Sequence, residues 1–137
     1  MTFLLDTNII SELRRRSRAD RGLLTWADVT PAAQTFLSAV TVLEIELGAL
    51  QKARKDKAQG AVLRNWIDQQ ILPHFYGRIL PVDVAVAQAC ARLHVPTTRS
   101  ERDALIAATA LVHSMTVVTR NSDDFKMVWV RVLNPWQ

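Results

Sequence analysis

Four acids in this chain stand where a carboxylate can do chemistry. Asp6 follows at once on the apolar run Phe3-Leu4-Leu5, and Asp124 follows the run Thr116-Val117-Val118-Thr119 after a short polar stretch. Glu44 and Asp103 each sit near the start of a helix-like stretch. Short apolar runs of this kind read as buried strands. In open α/β sheets, ligands bind just beyond the carboxyl ends of the strands. A three-layer α/β fold would bring all four acids to that one edge. Carboxylates gathered there repel one another unless a cation holds them. Hard divalent cations such as Mg2+ and Mn2+ prefer oxygen ligands, and a common task of such sites is phosphate chemistry.

Each acid also has a purely structural reading. Thr41-x-x-Glu44 and Ser100-x-x-Asp103 match the capping box, in which the acid satisfies a helix N-terminus. Asp123 or Asp124 can open a turn. Asp6 has the least structural reason to be where it is. It directly follows an apolar strand and has no basic neighbour in sequence.

The elements that must position these acids alternate between strand and helix from end to end. The first strand spans about Thr2 to Leu5, and a helix runs from about Ile9 to Arg16. A second helical stretch passes through Leu23, Leu24, Trp26 and Ala27, with Pro31 beyond its end. Thr35-Phe36-Leu37-Ser38 reads as the second strand. Thr41 to Glu44 opens a helix to about Ala53, and a long one runs from Asp56 to Gln70. On it, Ala61, Leu63, Trp66, Ile67 and Ile71 are spaced for one apolar face. Core packing and partner contact are both open to that face. Arg78-Ile79-Leu80 is the third strand. Asp83 caps a helix to about Leu93, which Pro96 stops, and Ser100 caps another from Glu101 to Ser114. Thr116 to Thr119 and Val130 to Leu133 complete the strands. Strands separated by helices predict a central, mainly parallel sheet of four to five strands, covered on both sides.

With 137 residues, 49% of them hydrophobic, the chain fits one domain over residues 1–137 and is too apolar for disorder. No apolar stretch reaches the roughly 20 residues that cross a bilayer. The N-terminus also lacks the order of a signal peptide. The expectation is a soluble, cytoplasmic protein with no membrane partner. The single cysteine, Cys90, excludes an intramolecular disulfide and a cysteine-based zinc site, and reads as a small core residue. The net charge of +4 suits a polyanionic partner. Its distribution says more. Arg14, Arg15, Arg16, Arg18 and Arg21 form one basic cluster, and Lys52, Arg54, Lys55, Lys57 and Arg64 form a second. Either cluster is a solvated helix face or a phosphate-contacting patch.

At this point the residues resemble a known family. Phe3-Leu-Leu-Asp6-Thr7-Asn8 is similar to the first motif of PIN-domain nucleases, and Thr41-Val-Leu-Glu44-Ile45 before Gly48 resembles the second. Arg102-Asp103-Ala-Leu-Ile-Ala-Ala108 resembles the third, and Thr119-Arg-Asn121-Ser-Asp-Asp124-Phe125 the fourth. Val132-Leu-Asn134-Pro135-Trp136 is similar to the tail of VapC- and FitB-like toxins. The motifs keep their order over the whole chain. The resemblance implies a Mg2+-dependent endoribonuclease, with Mn2+ as a substitute cation. Asp6 and Asp103 would be the metal ligands. Glu44 and Asp124 would complete the catalytic acids, directly or through water, with Asp123 an alternative to Asp124. Thr7, Asn8, Thr119 and Asn121 would support them. The implied partners are RNA, a cognate antitoxin and a second copy of the chain in a homodimer or larger toxin–antitoxin assembly. An antitoxin arm would cover the acidic pocket. The helix carrying Leu63, Trp66 and Ile67, and the terminal Trp136, are candidate contacts.

Other readings compete. A receiver-like phospho-acceptor domain also ends a strand on an aspartate, but wants paired acids and a late lysine where this chain has Asn8 and Arg120. A haloacid-dehalogenase-type phosphatase wants a second aspartate in place of Asn8. A PIN-fold module that binds RNA or protein without cleaving it would not need the full set of acids. His74, His94 and His113 are scattered and read as surface or capping residues rather than bases.

Overall fold

The computed structural model describes residues 1–126 and 129–136. Five strands form one sheet: β1 (Phe3–Leu5), β2 (Thr35–Ser38), β3 (Ile79–Leu80), β4 (Thr116–Val118) and β5 (Val132–Leu133). Their order is β3-β2-β1-β4-β5, and every neighbouring pair is parallel. Parallel neighbours need long crossovers, which helices supply. Helices α1 (Thr7–Leu13) and α2 (Arg21–Val29) link β1 to β2. Helices α3 (Ala39–Lys55), α4 (Lys57–Trp66) and α5 (Leu72–His74) link β2 to β3. Helices α6 (Val84–Leu93) and α7 (Glu101–Val112) carry the chain from β3 across to β4. Strand addition therefore reverses between β1 and β4. The carboxyl ends of these two strands form the topological switch point, where such sheets bind ligands.

The register explains the three layers. Leu4 pairs with Val117 and Leu5 with Val118, and successive side chains on a strand face opposite ways. Leu4 and Val117 pack with Ala89, Ile106 and Ala108 of α6 and α7. Leu5 and Val118 pack on the other side with Ile9, Leu23, Ile45 and Ile67. Helix α7 buries Ala104, Ile106, Ala107, Ala108, Thr109 and Ala110, so it is enclosed nearly all round, as its sequence predicts. Cys90 is buried among the α6–α7 core.

Several element boundaries differ from expectation. Helix α1 starts at Thr7, capped by Asp6, two residues before Ile9. Helix α3 starts at Ala39, because β2 runs straight into it and Ser38 supplies the cap to the Val40 N–H. Thr41 is thus inside the helix, fully buried, with its hydroxyl unpartnered. The long helix beginning near Asp56 is α4, followed by a π-helical segment, Ile67–Ile71, and then α5. Trp66, Ile67 and Ile71 pack in the core, while Ala61 is exposed and Leu63 half-buried, so core packing takes up only part of that face. Strand β5 spans only Val132–Leu133 rather than starting at Val130. Among the described residues no helix is long and apolar enough to cross a membrane.

Candidate active site

The β1–β4 ladder continues one step past β1, with the Asp6 N–H donating to the Val118 carbonyl at 2.9 Å. This fixes Asp6 at the switch point, 6% exposed. A buried carboxylate is costly unless hydrogen bonds replace its water, and three donors do so. The Thr7 N–H bonds Oδ1 at 2.8 Å, while the Thr119 hydroxyl and the Asn8 amide bond Oδ2 at 2.8 and 3.2 Å. Asn8 also donates to Thr119 Oγ1 at 3.1 Å and accepts from the Arg120 N–H at 3.0 Å. The Asn121 N–H donates to the Thr119 hydroxyl at 3.0 Å. Thr119 and Asn8 therefore clamp Asp6 between the ends of two neighbouring strands. Burial still raises the Asp6 carboxyl above its ordinary range. The bonds from Thr119, Thr7 and Asn8 oppose the rise, and the charge of Glu44 adds to it.

Glu44 projects from the second turn of α3. Its Oε1 accepts the Thr7 hydroxyl at 2.6 Å, and its Oε2 lies 3.7 Å from the Arg102 guanidinium. The capping-box reading of Glu44 fails, since Ser38 caps the helix. Ser100 makes no side-chain cap bond at α7. The second capping box is therefore not formed either.

Asp103 lies in the first turn of α7. Burial raises its carboxyl, and the charges of Asp6, Asp124 and Glu44 push the same way. Asp103 is thus the acid that faces the charge of the other three. Asp124 comes from the 3-10 turn Ser122–Phe125, anchored by fully buried Phe125. Asp123 is turned to solvent and pairs with Lys126 at 3.0 Å. Of the two, Asp124 is the acid whose charge reaches Asp103.

These groups suit a hydrated hard cation. All four donors are carboxylate oxygens, and their mutual repulsion is what an ion would relieve. Among the described residues no three of them bring oxygens within 4.8 Å of one another. That spacing leaves room for water, and Mg2+ binds through one or two carboxylates and keeps several waters.

A separate trio does reach that distance: Cys90, His94 and Glu101. His94 Nδ1 accepts the Arg99 N–H at 3.0 Å, so the neutral ring carries its proton on Nε2, which then offers no lone pair. Burial and Glu101 push the Cys90 thiol up. The trio holds the loop before α7 and supplies no reactive group. His74, His94 and His113 all stand at helix ends.

Two features escaped the sequence reading. Arg102 sits beside the acids as a countercharge to Glu44, and only its place next to Asp103 hinted at this. The C-terminal tail folds back on the Thr119 loop. There the Asn134 amide bonds the Arg120 carbonyl at 3.2 Å, and the Arg120 guanidinium lies 5.6 Å from the Trp136 ring centroid. In the basic clusters, Arg16 pairs with Asp28, while Arg64 is neutralised by Glu46 and Asp68.

Comparison with known proteins adds a third line. The family model described as PIN domain matches residues 3–128. The chain is 42% identical over 138 residues to Toxin FitB of Neisseria gonorrhoeae, covering 97% of both chains. It is 34% identical over 140 residues to VapC ribonuclease Y4jK of Sinorhizobium fredii, covering 98% of this chain and 97% of that one. A chain of the FitAcB crystal structure from Neisseria gonorrhoeae superposes with a TM-score of 0.89 at 38% identity, with 99% of each chain covered.

Proposed function

This chain belongs to the PIN domain family, and from that premise we propose that it is a divalent-metal-dependent endoribonuclease and the toxin of a toxin–antitoxin pair. The observation that carries the reading is the meeting of Asp6, Glu44, Asp103 and Asp124 at the switch point, where Asp103 feels the other three charges. Relatives named as a toxin and as a VapC ribonuclease support it.

A bound Mg2+, or Mn2+ in its place, would neutralise a phosphate oxygen and lower the pKa of a bound water. Asp6 and Asp103 would hold the ion, with Asp124 and Glu44 completing the acidic ring. Thr119 and Asn8 fix the direction of the Asp6 carboxylate, and Thr7 fixes Glu44. Such outer partners commonly matter nearly as much as the ligands they orient. Asp124 is exposed and Asp103 half-buried, so substrate phosphate approaches from that side. Asn121 braces Thr119 through its N–H.

We assign the antitoxin to a groove of about 330 Å³ on the α1–α2 side of the sheet, lined by Ile10, Leu13, Trp26, Trp66, Ile71 and Phe75, with Arg14 and Arg16 also on its walls. An arm leaving this groove would present a basic side chain to the acids and replace the ion's charge. The chain would act as a homodimer or within a larger toxin–antitoxin assembly, in the cytoplasm. Incubating purified chain with RNA in Mg2+ and in EDTA tests the enzymatic reading. Cleavage in Mg2+ alone supports it, and a wild-type chain inert in both sinks it.

A further inference from the structure

We propose that the outer face of α3 is a track for the RNA backbone, leading from the acidic ring to Lys52 and Lys55. The inference rests on the ribonuclease reading for what occupies the track, and on the helix itself for its course. Positions 44, 48, 51 and 55 are spaced by four, three and four residues, so Glu44, Gly48, Gln51 and Lys55 share one face of α3. Lys52 flanks the same face. Lys52 lies about 12 Å and Lys55 about 16 Å from Glu44 along the axis. Beside them is an open cleft of about 650 Å³, lined by Gly48, Gln51, Lys52, Arg54 and Lys55.

Two further observations point to an occupant. Gly48 lies in the interior of a helix, where glycine costs about 1 kcal/mol against alanine. No packing explains it, because a Cβ built there meets nothing within 4 Å. Gly60, by contrast, is required by packing, since its Cβ would lie 2.4 Å from the Ala53 Cα. Gly48 leaves a smooth floor on the exposed side of the helix, where an outside chain can come close to the backbone. The lysines are also uncommitted. Both are exposed, and among the described residues neither has an acid within 4.0 Å. Arg64 of the same sequence cluster is bound by Glu46 and Asp68. A polyanion starting at the acids thus finds free positive charge along α3, about 12–16 Å from Glu44.

The test compares wild type with Lys52→Gln/Lys55→Gln. Binding of a fluorescent single-stranded RNA is measured against salt in EDTA, so cleavage is not needed. Losing two phosphate contacts should flatten the slope of log K against log salt by about 1.4. In Mg2+, KM for a long RNA should rise about tenfold or more while kcat holds, and a dinucleotide substrate should be cleaved as by wild type. Lys52→Arg/Lys55→Arg should restore the wild-type slope. An unchanged slope in the glutamine variant overturns the track and leaves the face to a protein partner. A wild-type chain that binds with the expected slope difference yet never cleaves keeps the track and sinks the nuclease reading.

Discussion

The Thr7 hydroxyl donates a 2.6 Å hydrogen bond to Glu44 Oε1. The bond joins the first residue of α1 to the second turn of α3 and aims Glu44 at the acids rather than at its own helix end. Glutamine would serve a capping box as well as glutamate, but it carries no charge into the ring. Glu44→Gln should therefore keep the wild-type melting temperature and lose cleavage about 10- to 100-fold, with Thr7→Val in the same range. Steady-state kinetics beside thermal denaturation checks this. Retention of most activity in Glu44→Gln would return the residue to a structural role.

Thr119 connects β4 to Asp6. Thr119→Val removes one of the two side-chain donors to Asp6 Oδ2 and leaves a buried carboxylate short of a partner. The expected cost is about 1–3 kcal/mol of stability, read by chemical denaturation. Activity should fall about 10- to 100-fold through misdirection of Asp6.

Asp103 supplies a pH signature. Its folded carboxyl is raised by burial and by three neighbouring acids, so the folded chain binds its proton more tightly than the unfolded chain does. Ionisation then destabilises the fold once pH rises above the unfolded value of about 3.9. In EDTA at neutral pH, Asp103→Asn should melt higher than wild type, and the gap should close as pH falls towards that value. Mg2+ should raise the wild-type melting temperature and leave the variant unmoved. A variant that melts lower than wild type at neutral pH would contradict this electrostatic account.

Much of this was legible in the chain because the signals are local. The apolar runs marked the strands, and Asp6 was exposed by its place directly after one. The partners of the acids were not legible. Thr7 and Glu44 are 37 residues apart, and Thr119 and Asp6 are 113 apart. A single hydroxyl bond across elements leaves no periodic trace. The capping boxes misled for a physical reason: β2 enters α3 without a loop, so Ser38 caps and Thr41 is buried. Asp6 has the least structural reason of the four acids in sequence, yet it caps α1 as well. Arg64 looked like part of a basic patch because only Asp68 of its two acids lies one turn away.

Gly60 tests the packing that holds α3 in place. Its absent Cβ would overlap backbone of Ala53, so the two helices must separate to admit alanine. Gly60→Ala should cost about 1–3 kcal/mol in chemical denaturation. Gly48→Ala, with open space around it, should instead be neutral or stabilising by up to about 1 kcal/mol. Equal effects at the two glycines would contradict this reading of α3.

The central claim is that converging carboxylates cut RNA with a metal ion. The direct measurement is cleavage of a defined RNA in Mg2+ by wild type, Asp6→Asn and Asp103→Asn, each purified free of other nucleases and shown to be folded. The account predicts cleavage by wild type, its abolition by EDTA, and loss of at least about 100-fold in each variant. Wild-type cleavage by either folded variant would contradict it.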